Sequence, residues 1–499
     1  DPKEAGTDRP ALDARILADH LESLALTLEL VRPMETNASA ALMTIGWGIE
    51  RLLAHPYAPL HQRMNSVAAR LGGIPALLTA ARARLKSPSR ASLENVQIVA
   101  AGLAKLMRSD ALRPTDKALE GDAALAKRVK ESSEEAAKAI EAYAADVSKT
   151  FPADKAKNEP LGAESWGRIA RVREGAAESP AQIRAMGEAE IKRLGAELDA
   201  LVKQSGKPGD TRQSFLARYE ADQPKVGQVI ADYKQANKVA EDWLRKADFV
   251  TVPWDRAKLE IVPSPPHLRG VSFASLNAAG PLDEVEDARF EVNEPDGKTP
   301  EAQKKALLAF HSHGGMENVS LHEALPGHYL QALHARRSPS KVRRVLWTSS
   351  YGEGWAHYVE EAAVAAGFGG KDPVRARAIM IRFACSISVR MERGTLRNRP
   401  NSPVTSRVGT IFRGSLAALY LPGPFCGFFS SCTIFFRVSL RPCWSGRVWP
   451  QRALPTRRCS AIPSPRPTRS ACPAAAPSAR SSPYALVGKP ARWEAALSA

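Results

Sequence analysis

Ser92-Leu-Glu-Asn-Val-Gln-Ile-Val-Ala-Ala-Gly-Leu103 decides the fold class. It opens on a serine that can cap the free N–H groups of a first helical turn. Its apolar residues then return with a 3.6-residue period, so one face of a helix is marked for burial. The same period extends on both sides. Leu12, Ile16, Leu17, His20, Leu21, Leu24 and Leu28 fall near helical spacing, and residues 179–204 and 222–247 read as further amphipathic helices. Residues 117–148 are rich in Ala, Lys and Glu, all strong helix formers. Lys130, Glu134 and Lys138 stand at i, i+4 and i+8 beside Glu131 and Glu135, the pattern of a solvated face. Residues 11–247 therefore read as helix after helix, without a fixed-period repeat.

The character changes at Phe249. Phe249-Val-Thr-Val-Pro-Trp254 and Leu259-Glu-Ile-Val-Pro263 are short β-like runs bounded by prolines, and Ser264-Pro-Pro and Ala279-Gly-Pro are loop signals. Residues 249–300 are expected to form a small sheet or extended strip over the helices. Helices are predicted again over 300–310, 317–336, 350–366 and 373–393. The expected fold is mainly α: a multi-helix body with a small β strip. The expected divisions are an N-terminal helical region (1–248), a site-bearing part of the same body (249–396) and a C-terminal tail (397–499).

With 499 residues, 44% of them hydrophobic and 25% charged, the chain is long enough to bury a sizeable core. Collagen, a coiled-coil rod and full disorder are excluded for the whole. The net charge of +17 would ordinarily point to nucleic acid or anionic lipid. Its location argues otherwise. Residues 397–499 carry +14 of it, with 14 Arg, one Lys and a single acid, Glu494. The body is nearly balanced at +3 and holds one cysteine, Cys385, so no disulfide framework supports it. Gly414–Phe436 is long enough to cross a membrane, but Pro422, Gly423, Pro424 and Gly427 interrupt it and no span is expected. No signal-peptide pattern stands at the start, which leaves the compartment open between periplasm or secretion and cytoplasm.

Six of the ten histidines lie between positions 311 and 357. Their centre is Ser320-Leu-His-Glu-Ala-Leu-Pro-Gly-His-Tyr-Leu-Gln331, followed by Tyr351-Gly-Glu-Gly-Trp-Ala-His-Tyr-Val-Glu-Glu361. His322 with Glu323 beside it and a second His downstream resembles the zinc-peptidase helix, in which two imidazoles hold Zn2+ and the adjacent carboxylate takes a proton from water. Such a metal brings the pKa of its water toward about 7, and a neighbouring carboxylate can act as base and then acid. The spacing differs from that helix. His322 and His328 are six apart, about 240° around an ideal helix. Pro326 disrupts a regular helix and Gly327 tolerates unusual angles, so two extra residues can bulge and return His328 to the face of His322. Glu353 supplies a third, anionic ligand, in a place resembling the Glu-Gly-Phe-Ala element of zinc aminopeptidases. Glu353, His357 and Glu360 fall at i, i+4 and i+7 on one face, which makes His357 and Glu360 supporting or substrate-side candidates.

Together these motifs resemble the bacterial family named domain of unknown function 885. Its pattern is His-Glu-Ala-x-Pro-Gly-His-x-x-Gln, then Glu-Gly-Trp-Ala-x-Tyr-x-Glu. Ile74–Leu85 and Pro265–Gly270 extend the likeness, which runs over roughly residues 11–396. The resemblance implies a mainly helical zinc peptidase of the Glu-ligand kind acting on a peptide substrate, with His322, His328 and Glu353 as ligands and Glu323 as base. Tyr351, Tyr358 and Tyr329 could offer a hydroxyl to an oxyanion, although core packing is the commoner use of each. His313 and His311 could reach substrate from what reads as a polar loop. His334 reads as a solvated helix residue, Arg343 and Arg344 as surface charge, and Trp355 as core.

The resemblance stops after Leu396. Family members continue with amphipathic helices, whereas residues 397–499 are rich in Arg, Pro and Ser and hold five of the six cysteines. A shifted reading frame of GC-rich coding DNA gives that composition, and a frameshift near codon 396 is the expectation. Rereading the DNA in the other frames tests it: no helical, acid-containing continuation would sink it. The alternative is a genuine disordered basic tail able to bind nucleic acid or anionic membrane by counterion release. No nucleic-acid motif accompanies it, so a nucleic-acid partner is not expected. An inactive metal-binding remnant is the other alternative to an active hydrolase.

Overall fold

A computed structural model describes residues 9–253, 258–265, 268–269 and 272–395, with side chains from Pro10 to Ala384. The chain begins with α1 (Arg9–Leu26), a π-helical turn (Thr27–Val31), α2 (Pro33–Thr36), α3 (Ala40–Ala54), α4 (Leu60–Arg84), α5 (Arg90–Met107) and α6 (Ala123–Thr150). Next come α7 (Ala163–Glu174), α8 (Pro180–Ser205), α9 (Arg212–Glu220) and α10 (Val229–Ala247). Three strands follow: β1 (Leu259–Pro263), β2 (Ala274–Asn277) and β3 (Ala288–Val292). Helices resume with α11 (Glu301–Phe310), α12 (His313–Glu323), α13 (His328–Arg336), α14 (Lys341–Val345), α15 (Ser349–Ala365) and α16 (Pro373–Thr395). The fold is mainly α with one small sheet, as the periodicity predicts. The expected tail, its cysteines and Gly414–Phe436 lie outside the described residues. Among the described residues no helix is long and apolar enough to cross a membrane.

Helices α3 to α6 share one core. Leu42, Val67, Leu71, Val96, Leu103, Ile140 and Val147 are fully enclosed in it. Each such side chain contributes about 1.5–3 kcal/mol of transfer free energy. The stripe read on α5 is buried, but its cap lies one turn earlier. Ser89 accepts from the Ser92 amide (3.3 Å), and Ser92 sits inside the helix, accepting from the Ala38 amide instead (3.2 Å). Helix α6 starts only at Ala123, where Asp122 accepts from the Leu125 amide (2.8 Å), because Gly121 just before it takes a positive φ of 88°. Helix α10 likewise starts at Val229 rather than at 222, since Pro224 and Gly227 occupy the intervening turn.

Helix α1 shows what spacing leaves open. The leucines that identify it face outward, with Leu12, Leu17, Leu21 and Leu24 42–58% exposed, as does Leu28 of the π-helical turn that follows. Ser23 and Leu26 form its buried side, and Leu26 packs with Ile169 and Ala170 of α7. Period fixes a helix and its apolar face, whereas the rest of the chain decides which face is covered.

The sheet order is β1-β3-β2, with β1 parallel and β2 antiparallel to β3. Of the two β-like runs, 259–263 is a strand and 249–253 is not. Phe290 and Val292 turn one face of the sheet onto Tyr233 of α10 and Met316 and Val319 of α12. That packing brings edge strand β2 beside the end of α12.

Candidate metal centre

The histidine motif does not bulge out of one helix. Helix α12 ends at Glu323, Ala324–Gly327 leave helical geometry, and α13 restarts with His328 as its first residue. Proline at 326 removes a backbone donor and bars its predecessor from helical angles, so a break costs less than a distorted continuation. Gly327 is required for closeness, not for positive φ. A Cβ there would overlap the carbonyl oxygens of Leu321 and His322. The break is pinned from α15. The Trp355 indole donates to the carbonyls of Pro326 (3.0 Å) and Gly327 (3.3 Å). Trp355 is buried, as read, but it also satisfies the Pro326 carbonyl and shares the Gly327 carbonyl with the Gln331 amide of α13 (3.0 Å). Trp355→Phe keeps most of the packing and removes the donor. A loss of about 1–3 kcal/mol is expected, read as a lowered denaturant midpoint.

The break makes the motif converge. The His322 and His328 rings lie 4.7 Å apart between centroids. Glu353 Oε2 sits 3.4 Å from His322 Nε2 and 3.7 Å from His328 Nε2. One donor atom from each of the three falls within 4.8 Å of the others, which is metal-site spacing. His322, His357 and Glu360 make a second such group. The two share His322 but use its ring differently. Nδ1–H donates to Glu360 Oε1 (2.6 Å), which leaves Nε2 directed at Glu353 and His328. Glu360 thereby selects the tautomer whose free nitrogen faces the first group. Its other oxygen accepts from Asn318 Nδ2 (2.9 Å), and His357 Nδ1 lies 2.9 Å from Oε1. Glu360 and His357 are also the more buried pair, at 1% and 7% side-chain exposure against 21% and 16% for Glu353 and His328.

Electrostatics follow the geometry. Burial disfavours a charged His322, but hydrogen bonds to Glu353 and Glu360 outweigh it and hold the imidazole well above its usual pKa. Burial would raise Glu353, yet the His328 charge and the His322 bond keep it well below the carboxylate range. Glu360 is lowered in the same way by His357 and His322. Two carboxylates thus remain anionic around a ring that carries a proton where a cation could stand.

Glu323 projects from the same turn toward the sheet. Its Oε2 accepts from the Leu276 amide of β2 at 2.9 Å. Ser350 at the head of α15 is capped by Glu174 of α7, whose Oε2 accepts from the Ser350 amide (2.8 Å) and whose pKa is raised by burial. Asn318, Leu276 and Glu174 escaped the sequence reading. Asn318 alone left a signal, standing four residues before His322 on one helix face.

The remaining candidates sit elsewhere. His313 belongs to neither metal-type group and is held by Asp222 (2.7 Å) and Asp232 (3.4 Å). His311 is not in a polar loop but fully buried. Its Nε2–H donates to the Asn293 carbonyl (3.1 Å), so Nδ1 accepts from the Tyr233 hydroxyl (2.9 Å), and burial lowers its pKa to about 4. Tyr329 is buried among Leu325, Leu330 and Leu333. Tyr358 packs on Trp355, and Tyr351 is half-buried on α15 with its carbonyl taken by Gln331. His334 donates to the Thr251 carbonyl (3.1 Å) and is half-buried, less solvated than its spacing predicts. Arg343 is not free surface charge, since its side chain is 12% exposed and pairs with Asp13 (2.7 Å).

Two solved structures share the fold. One is titled "The structure of a putative lipoprotein of unknown function from Shewanella oneidensis", with a TM-score of 0.62 and 18% identity over 89% of this chain and 84% of that one. The other, "The crystal structure of the putative lipoprotein from Colwellia psychrerythraea", has a TM-score of 0.55 and 17% identity over 77% and 70%. At these identities the likeness concerns the fold alone. No curated protein matches the sequence. The model of the family described as "Bacterial protein of unknown function (DUF885)" matches residues 1–391, and the chain belongs to that family.

Proposed function

We propose that the chain is a zinc-dependent hydrolase of peptide bonds. The observation that carries this reading is the meeting of His322, His328 and Glu353 donor atoms within 4.8 Å, with Glu323 on the adjoining turn. The donor set fits zinc. Two imidazoles and one carboxylate are a catalytic-type set that leaves a position open, and an outer carboxylate, Glu360, orients one imidazole. When bound, zinc supplies Lewis acidity and a water of lowered pKa.

The chain's own residues do the rest. Glu323 receives the proton of the attacking water and returns it to the leaving amine. The Leu276 amide holds one of its oxygens, which fixes the carboxylate without occupying both. A peptide substrate is supported by β2. It pairs with β3 on one side, and its other edge borders Glu323. An extended peptide can add to such an edge through main-chain groups other than the Leu276 amide, which Glu323 holds. No nucleic-acid partner is part of this reading.

The test is hydrolysis of a peptide library by the zinc-loaded full chain. Glu323→Gln is expected to retain zinc and lose about 10²–10⁴-fold in rate. Equal rates for the two proteins would overturn the assignment, and zinc retention without hydrolysis in either would mark an inactive metal-binding remnant. Zinc uptake must also depend on pH. His322 carries a proton at neutral pH in the metal-free chain, and a ligand imidazole must be neutral. Apparent zinc affinity is therefore expected to rise about tenfold per pH unit while one proton is displaced per metal. Calorimetry in buffers of different ionisation enthalpy would count that proton.

A further inference from the structure

A second buried polar cluster lies where the N-terminal helices meet the sheet. Glu50 of α3, His55 just past α3, Asn277 of β2 and Glu291 of β3 are each under 7% exposed. Asn277 Nδ2 donates to Glu50 Oε1 (2.8 Å) and to Glu291 Oε1 (3.1 Å), while its Oδ1 accepts from His55 Nε2–H (2.9 Å). The two carboxyl groups are thereby drawn together on the single amide nitrogen of Asn277. Yet Oε2 of each has no donor among the described residues. An ionised carboxylate offers only acceptors. Two of them buried on one amide nitrogen repel each other, and one proton resolves both the repulsion and the missing donor.

We propose that Glu50 and Glu291 share one proton at neutral pH, and that this pair is a pH-sensitive latch holding α3 against strands β2 and β3 of the sheet. The cations facing it are Arg289 of β3 and Arg51 of α3, and both favour ionisation. They are outweighed. Burial first, and the Glu291 charge second, push Glu50 up to about 8, while burial also raises Glu291. Loss of the shared proton sets two negative charges face to face across the α3–sheet contact. The consequence reaches the candidate centre through β2. Asn277 directly follows Leu276, whose amide holds Glu323. Opening the latch loosens the strand that orients Glu323, so the pair acts as a positioning device and takes no part in chemistry.

The full chain tests this by three measurements. Infrared spectra of the wild type should show the carbonyl stretch of an un-ionised carboxylic acid at pH 7 that titrates away near pH 8, and Glu50→Gln should lack it. Thermal midpoints come second. A carboxyl raised from 4.5 to about 8 takes up a proton on folding, so its contribution is full below pH 4.5, fades as pH rises and is gone above about 8. Glu50→Gln, whose amide donates where the proton did, should flatten the wild-type fall across that window. Third, hydrogen exchange of residues 274–277, corrected for intrinsic pH dependence, should accelerate above pH 8 in the wild type and not in the variant. Glu291→Gln carries the same expectations if Glu50→Gln does not fold. Parallel stability curves, or no acid band titrating in the wild type, would overturn the proposal.

Discussion

His322→Ala is expected to reduce bound zinc from about one per chain to almost none, while His334→Ala on the next helix leaves it unchanged. His322 is the hub of the centre. Its Nε2 faces Glu353, its Nδ1 holds Glu360, and its ring meets those of His328 and His357. His334 donates to a backbone carbonyl at residue 251 and belongs to neither metal-type group. The stability cost in the metal-free protein is bounded. Removing one member of a buried ion pair costs about 3–5 kcal/mol when the other charge is stranded. Here Glu353 keeps His328 and Glu360 keeps His357 and Asn318. The expected cost is therefore nearer the 1.5–3 kcal/mol of a charged hydrogen bond. Its pH dependence has a definite sign. The His322 pKa is raised in the folded chain, so its contribution is full below about 6.5 and fades as pH rises through the folded value. The variant should fall furthest behind the wild type in acid. Zinc at 1,000 times its Kd should also add about 4 kcal/mol to the wild type and nothing to the variant. Elemental analysis and denaturant midpoints with and without zinc read both effects, and unchanged zinc content would exclude His322 as a ligand.

How much of this was legible in the sequence depends on the length scale of each interaction. Helical period and cap chemistry are local, so α5, α6, α8 and α10 were legible, with the starts of α6 and α10 shifted by Gly121 and Pro224, while α3, α4, α7 and α9 were read only as part of a helical run. The His322, His328 and Glu353 set was legible because two short motifs carry it. Their six-residue spacing was not resolved by local reasoning, since a bulge and a break both suit Leu-Pro-Gly. The choice falls to Trp355, 29 residues from Pro326 in sequence, which supplies the hydrogen bonds a break needs. The contact of Leu276 with Glu323 spans 47 residues, and that of Asn277 with Glu50 spans 227. Neither leaves a periodic or spacing signal, because strands β2 and β3 are four and five residues long and are placed by packing against α10 and α12. The outward leucines of α1 mark the same limit: local pattern specifies an apolar face, and only tertiary structure covers it or leaves it bare.

Gly327→Ala should be among the most damaging single-methyl changes in the described chain. The added Cβ would fall inside contact distance of the His322 carbonyl and of the Leu321 oxygen. These are backbone atoms of the last turn of α12, so no side chain can rotate aside. Relief requires moving α12 away from α13, which separates His322 from His328 and pulls the Gly327 carbonyl from the Trp355 indole. Overpacking of a well-filled site commonly costs about 1–3 kcal/mol. With a rigid obstacle on the strained side, a loss of at least about 3 kcal/mol is expected, together with weakened zinc retention. Gly72→Ala and Gly73→Ala in α4 provide the contrast. An added Cβ meets nothing within 4 Å at either site, and both lie inside a helix. Each should be neutral or stabilising by up to about 1 kcal/mol. Denaturant midpoints of the three variants separate the effect of the methyl group from the effect of its place. If Gly327→Ala were as stable as the α4 variants, the close return of the chain onto α12 would be wrong. The convergence of His322 and His328 would then need another cause.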